Sequence, residues 1–133
     1  MTTKQVNKIG FGSLRVNKVN EDMAEVFVYG DIGGWMDGVD AKEFARELKS
    51  LKVTDITARI NSGGGSVFEG QAIYNSLVNH PAKVNVVIDG IAASIASVIA
   101  MAGDNISITE GSHIMVHKPW SMAMGDANSM RKE

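Results

Sequence analysis

Three short stretches of this chain carry residue types that could together open an acyl bond. Ser94 lies within D-G-I-A-A-S-I-A-S-V-I-A-M-A-G-D (Asp89–Asp104), His117 within H-I-M-V-H-K-P (His113–Pro119), and N-S-G-G-G-S spans Asn61–Ser66. A serine hydroxyl becomes a useful nucleophile when an adjacent base takes its proton, and histidine suits that task at neutral pH. Glycines let backbone N–H groups approach a ligand closely, and paired N–H groups can hold an oxyanion. Ser94 follows a β-branched run that stops at Asp89-Gly90, and a helix of small apolar residues is predicted to begin almost at once. Its hydroxyl would then sit at a strand-to-helix turn, where free N–H groups and the positive end of a helix dipole converge. Serine also caps helices well. Ala92, Ala93 and Ala96 favour the chemical reading, because they clear space for a substrate.

Other candidates have plainer readings. Ser97, one turn beyond Ser94, is placed to bond back to a helix carbonyl. His113 precedes His117 by four residues, so on one strand it faces the same side about 13 Å away. Both cannot serve one serine. His80, before Pro81 at a helix end, reads as a surface residue. The glycine run lacks the G-x-G-x-x-G and G-K-[ST] forms, which argues against a nucleotide site. Asp31, Asp37, Asp89, Asp104 and Asp126 have no spacing that marks a partner for His117, and Glu21 and Asp22 fall in a predicted loop. No His/Asp/Glu set has metal-ligand spacing, so neither a metal nor a cofactor is expected. Met115, Met122, Met124 and Met130 read as apolar packing.

Composition narrows the class further. A chain of 133 residues with 44% hydrophobic content can bury a genuine core, and one domain over 1–133 is the expectation. The net charge is −2 and no Lys/Arg cluster exceeds two neighbours, so nucleic acid and anionic membrane have no electrostatic footprint. Cysteine is absent, which excludes disulfides, thiolate metal sites and a cysteine nucleophile. The polar start M-T-T-K-Q-V-N-K lacks the apolar core of a signal peptide. The longest apolar stretch contains two serines and falls short of the ~20 residues that span a bilayer. A cytoplasmic protein is therefore expected. Gly at 14 and Pro at 2, with small residues gathered where elements must pack, favour a tight α/β design over disorder.

The elements that would position these residues are legible as an alternation. Strands are predicted at Glu25–Tyr29, Ile56–Ile60 and Val84–Ile88, with two more at Asn105–Thr109 and His113–His117. Helices are predicted from an Asp37 cap to about Lys52, over Val67–Asn79 up to His80-Pro81, and from Ser94 to Gly103-Asp104. Within residues 1–23 the segment is less patterned, and Gly12–Val19 reads as an added antiparallel strand. Three successive strand-to-helix units argue for right-handed β-α-β crossovers and a largely parallel sheet. That topology brings the glycine run and Ser94 to the same sheet edge, where α/β folds gather their sites.

At these residues the chain resembles the proteolytic subunit of the Clp protease, ClpP, and especially the ClpP-like proteases of phages and prophages. The segments that carry the likeness are I-N-S-G-G-G-S-V-F-E-G-Q-A-I-Y-N-S-L, D-G-I-A-A-S-I-A-S-V-I-A-M-A-G-D and M-V-H-K-P. The family's G-x-A-A-S nucleophile falls on Ser94, and its M-[IV]-H-x-P histidine falls on His117. Its oxyanion loop falls on Ser62–Ser66, with Gly65 and Ile95 as the N–H donors. The resemblance implies a crotonase-like α/β fold, serine endopeptidase activity on protein or peptide substrates, and homo-oligomeric rings that enclose the sites. Its partners would be a Clp-type ATPase or, in the phage-like branch, capsid and scaffold proteins processed during head maturation. The family's catalytic aspartate lies beyond the histidine, past a long handle helix. This chain stops at G-D-A-N-S-M-R-K-E, where that helix would begin, and Asp126 aligns too early to serve. A handle cut short, an aspartate beyond Glu133 and near-inactivity of the chain alone are the resulting expectations. Two other readings stay open: an acyl-CoA-handling enzyme of the crotonase fold, and a non-catalytic assembly subunit. A serine/lysine peptidase of the signal-peptide-peptidase type fits less well, because His117 matches so closely.

Overall fold

The computed structural model describes residues 14–33 and 41–118. Six strands form one sheet in the order β1-β2-β3-β4-β5, with β6 also paired to β4. The strands are β1 (Leu14–Lys18), β2 (Met23–Tyr29), β3 (Asp55–Ser62), β4 (Lys83–Ala93), β5 (Asn105–Ile108) and β6 (His113–Met115). The pair β1–β2 is antiparallel and every other pairing is parallel. Three helices connect them: α1 (Ala41–Ser50), α2 (Val67–Val78) and α3 (Ile95–Ala100).

Alternation along the strands decides which face is covered. Ala24, Val26 and Val28 of β2 are buried, and they lie beside Ile56, Ala58 and Ile60 of β3. Those in turn lie beside Val84, Val86 and Ile88 of β4. Three apolar rows therefore cross the sheet in register. Phe44 and Leu48 of α1, Ile73 and Leu77 of α2, and Ile99 of α3 close over them in one continuous core. Each crossover steps the sheet in the same direction, so right-handed connections stack the three helices side by side on one face. The opposite face carries Glu25, Phe27 and Tyr29 of β2, Thr57 and Arg59 of β3, and Val87 and Asp89 of β4, all half-buried.

The fold is α/β with a largely parallel sheet, as the sequence pattern predicts. The Gly12–Val19 strand is β1, over Leu14–Lys18. The Val67–Asn79 helix ends one residue sooner, with Asn79 as its C-cap and the Ser66 side chain accepting from Glu69 N–H at its start. The Asp37 cap lies outside the described residues.

The segment before Ser94 departs from its sequence reading. β4 does not stop at Asp89-Gly90 but runs on to Ala93, and α3 spans only Ile95–Ala100. The cause is a bulge with partners on both sides. Ile60 pairs with Ile88 and Ser62 with Ala92, so two steps along β3 meet four along β4. Gly90 makes room there, since a Cβ on it would lie 2.6 Å from Asn61 Oδ1. That oxygen accepts from Ile91 N–H at 3.3 Å. On its other edge β4 pairs Ile91, Ala92 and Ala93 with His113, Ile114 and Met115 of β6. The Asp-Gly pair that reads as a strand end is thus an interior bulge. β6 in turn stops at Met115, so His117 lies beyond the strand and not on its face.

Candidate active site

Ser94 joins β4 to α3 at φ 56° and ψ −128°, and it is the sole non-glycine residue with positive φ among the described residues. Such a conformation costs about 1–3 kcal/mol and persists where its surroundings over-determine it. Here they do. Ala92 and Ala93 are locked in the sheet before it, and Ser94 N–H donates to Met115 O at 2.8 Å. The Ser94 carbonyl accepts from both Ser97 N–H (3.0 Å) and Ser97 Oγ (2.5 Å), so Ser97 bonds back as its spacing predicts. A serine on a sharp strand-to-helix turn projects its hydroxyl from the sheet edge.

The bond from Ser94 N–H to Met115 O also fastens the end of β6 beside this turn. Two residues further on, His117 Nε2 lies 2.7 Å from Ser94 Oγ. His113, opposite Ile91 in the sheet, has no such contact with Ser94.

The glycine run is held as firmly. Ser62, buried at the end of β3, donates from Oγ to Gly30 O at 2.7 Å and accepts from Gly64 N–H at 3.1 Å. Ile32 N–H donates to Gly64 O at 2.9 Å, and Ser66 N–H donates to Ile32 O at 2.8 Å. Those two bonds form an isolated parallel bridge between Ile32 and Gly65. In a trans peptide C=O and N–H point in opposite directions. With the Gly64 carbonyl fixed toward Ile32, the Gly65 N–H is turned away from it. Only glycine fits at 65: φ is +146°, and a Cβ would lie 2.1 Å from Ile32 O. Gly64 lies directly against the serine turn, where a Cβ would meet Ser94 Cβ at 2.7 Å and Ile95 N at 3.4 Å. Among the described residues neither the Gly65 nor the Ile95 N–H donates a hydrogen bond. Ser94, His117, Gly65 and Ile95 are all brought to one edge of the sheet.

No carboxylate is bonded to His117 among the described residues, and Asp126 lies outside them. Asp89, only five residues before Ser94, is engaged elsewhere. It accepts from Tyr29 OH at 2.6 Å and from Arg59 Nε and Nη2 at 2.9 and 2.8 Å on the open sheet face. Burial pushes its carboxyl up, but the bonds from Arg59 and Tyr29 and the Arg59 charge outweigh burial and hold it below the usual range. The same bond to Asp89 raises Arg59, and Glu25 adds a weaker contact at 3.6 Å. Sequence spacing gave no sign of this network, because its members are far apart in the chain.

His80 corrects a second reading. It is half-buried, its Nε2 lying 3.1 Å from Leu51 O while its Nδ1 accepts from Ala82 N–H at 3.0 Å. Pro81 offers no N–H at this turn, and the imidazole spans the gap. His80 borders a cavity of about 700 Å³ with Lys49, Leu51 and Pro81 at the opposite edge of the sheet. Cavity size and chemistry disagree there: it is roomy, yet it holds no nucleophile and base in contact. Among the described residues no group of three or more His, Asp or Glu is placed to hold a metal. None of their helices is long and apolar enough to cross a membrane.

Among the described residues, a mostly parallel sheet with its helices on one face presents a strained serine and a histidine on its hydroxyl at the strand ends, an α/β scaffold of the ClpP-like type. A family model for Clp protease matches residues 16–133, and the chain belongs to that family. It is similar to the ATP-dependent Clp protease proteolytic subunit of Ligilactobacillus salivarius, with 34% identity over 116 residues, 86% of this chain and 52% of that protein. The subunit of the same name from Bacteroides fragilis is 38% identical over 78 residues, 57% of this chain and 38% of its own. Among solved structures, ClpP1 from Listeria monocytogenes aligns with a TM-score of 0.64 at 27% identity, over 81% of this chain and 64% of that one. The chain spans about half the length of the first of these relatives.

Proposed function

We propose that the chain is the catalytic part of a Clp-type serine endopeptidase subunit, with Ser94 as nucleophile and His117 as its base. The observation that carries this reading is the 2.7 Å contact between Ser94 Oγ and His117 Nε2 at a strained turn. Ser94 Oγ adds to a peptide carbonyl while His117 Nε2 takes its proton. The Gly65 and Ile95 N–H groups hold the oxyanion, and removing one such donor typically costs about 10²–10³ in kcat. His117 then gives the proton to the departing amine, and a water repeats the sequence on the acyl-enzyme.

The relatives are ATP-dependent Clp protease proteolytic subunits, which supports an ATP-dependent reading; the arrangement we propose is a homo-oligomer to which a Clp-type ATPase delivers protein substrates. Phage head maturation rests on motif resemblance alone and takes second place. We place the protein in the cytoplasm on its sequence character. The chain is expected to react with covalent serine reagents through Ser94. Covalent capture by a fluorophosphonate tests this. Retention on immobilised coenzyme A with no Ser94 adduct would instead favour the acyl-CoA reading.

A further inference from the structure

Gly70 sits in the interior of α2, where its residue type works against the helix. Glycine there is worth about 1 kcal/mol less than alanine, and it carries no left-handed φ that would require it. What it does provide is proximity. A Cβ on Gly70 would lie 2.3 Å from Ile95 Cγ1, 3.0 Å from Cγ2 and 3.2 Å from Cβ. Ile95 follows Ser94 directly and is buried, so its side chain is seated on the bare backbone of α2.

We propose that Gly70 is a positioning residue for the Ser94–Ile95 peptide: its missing side chain sets the depth at which α3 begins. This rests on the reading of Ser94 as nucleophile and Ile95 N–H as an oxyanion donor. The rest of the surroundings leave α3 little other freedom. Gly64 bears on Ser94 Cβ from the glycine loop, and Met115 O holds Ser94 N–H from β6. Widening a 2.3 Å separation to ordinary contact requires a shift of about 1 Å. A misplacement of that size at reacting groups can cost about 10²-fold in rate. The site would thus trade local helix stability for the placement of one peptide. Gly64 cannot isolate the effect, since its φ of +100° adds backbone strain to any substitution. Gly70 can, because only the added methyl matters.

The experiment compares wild type, Gly70→Ala, Ile95→Ala and the double variant in the 133-residue chain. Fluorophosphonate labelling gives the maximal inactivation rate and the half-saturation concentration separately, and circular dichroism checks folding. Gly70→Ala is expected to lower the maximal rate 10- to 100-fold with half-saturation unchanged. The double variant, which lacks Cγ1 and Cγ2, should return to within about threefold of Ile95→Ala. A merely structural role would give neither the split nor the rescue. Wild-type labelling by a folded Gly70→Ala, or a double variant as slow as Gly70→Ala, overturns the proposal. Should wild type itself take no label on Ser94, the catalytic reading fails. The Ser97 amide resonance then decides positioning: a displacement between wild type and Gly70→Ala that persists between Ile95→Ala and the double variant contradicts it.

Discussion

Ser94 holds a backbone conformation that L-residues avoid, and a handful of bonds from Met115, Ser97 and the strand behind it keep it there. At this scale the chemical residues were legible. Ser94, His117 and the glycine run stand out in the sequence because nucleophile, base and flexible backbone fall in motifs of the right composition. The strain was not legible, since φ depends on what the strand and helix do on either side. Nor was the Tyr29–Asp89–Arg59 network, which forms only when β2, β3 and β4 lie side by side. Its effect on stability has a definite sign. The folded Asp89 carboxyl titrates below its unfolded value of about 3.9, so the ionised form stabilises the fold at higher pH. That contribution is lost as pH falls through the folded value. Asp89→Asn should therefore lower stability by about 1–2 kcal/mol at pH 7, and the gap should close below about pH 4. Urea unfolding of both proteins at several pH values measures it. A gap that widens in acid would contradict the assignment.

Among the elements, strands and helices with strong periodicity appeared where the sequence placed them, because burial of one face enforces alternation or a 3.6-residue stripe. The error was at Asp89-Gly90, where a local breaker signal lost to tertiary pairing. β3 and β6 together supply partners for β4 up to Ala93, and Asn61 fills the bulge. The extension matters because it, and not a helix, delivers Ser94 to the sheet edge. His117 arrives by the same device, as the chain leaves β6. Ser62 performs the matching task for the glycine loop by joining Gly30 O to Gly64 N–H. Ser62→Ala should cost about 1–3 kcal/mol in thermal or urea unfolding, because it leaves buried groups unpaired. Labelling of Ser94 should slow with it. Unchanged stability and labelling would mean that the loop is held by Ile32 alone.

At the scale of the molecule, the parallel order and the single helical layer among the described residues followed from three strand-to-helix units and the handedness of their crossovers. The sequence could not show that these units leave apolar surface at the β5/β6 side. Val98, Met101, Ile106, Ile108, Ile114, Met115 and Val116 are all exposed there or nearby, Val116 by 76%. Exposed apolar side chains in this number suit an association surface, in keeping with the proposed homo-oligomer. Light scattering should give a mass above that of one chain that rises with concentration, and a strict monomer at high concentration would oppose this. His117 is proposed to activate Ser94 at a preformed turn. The most direct test is fluorophosphonate labelling of the 133-residue chain, followed by intact-mass measurement and peptide mapping. A single adduct on Ser94 is expected, absent in Ser94→Ala and slowed about 10²–10⁴-fold in His117→Ala. An adduct on another residue, or a Ser94 adduct that forms equally fast without His117, would contradict it.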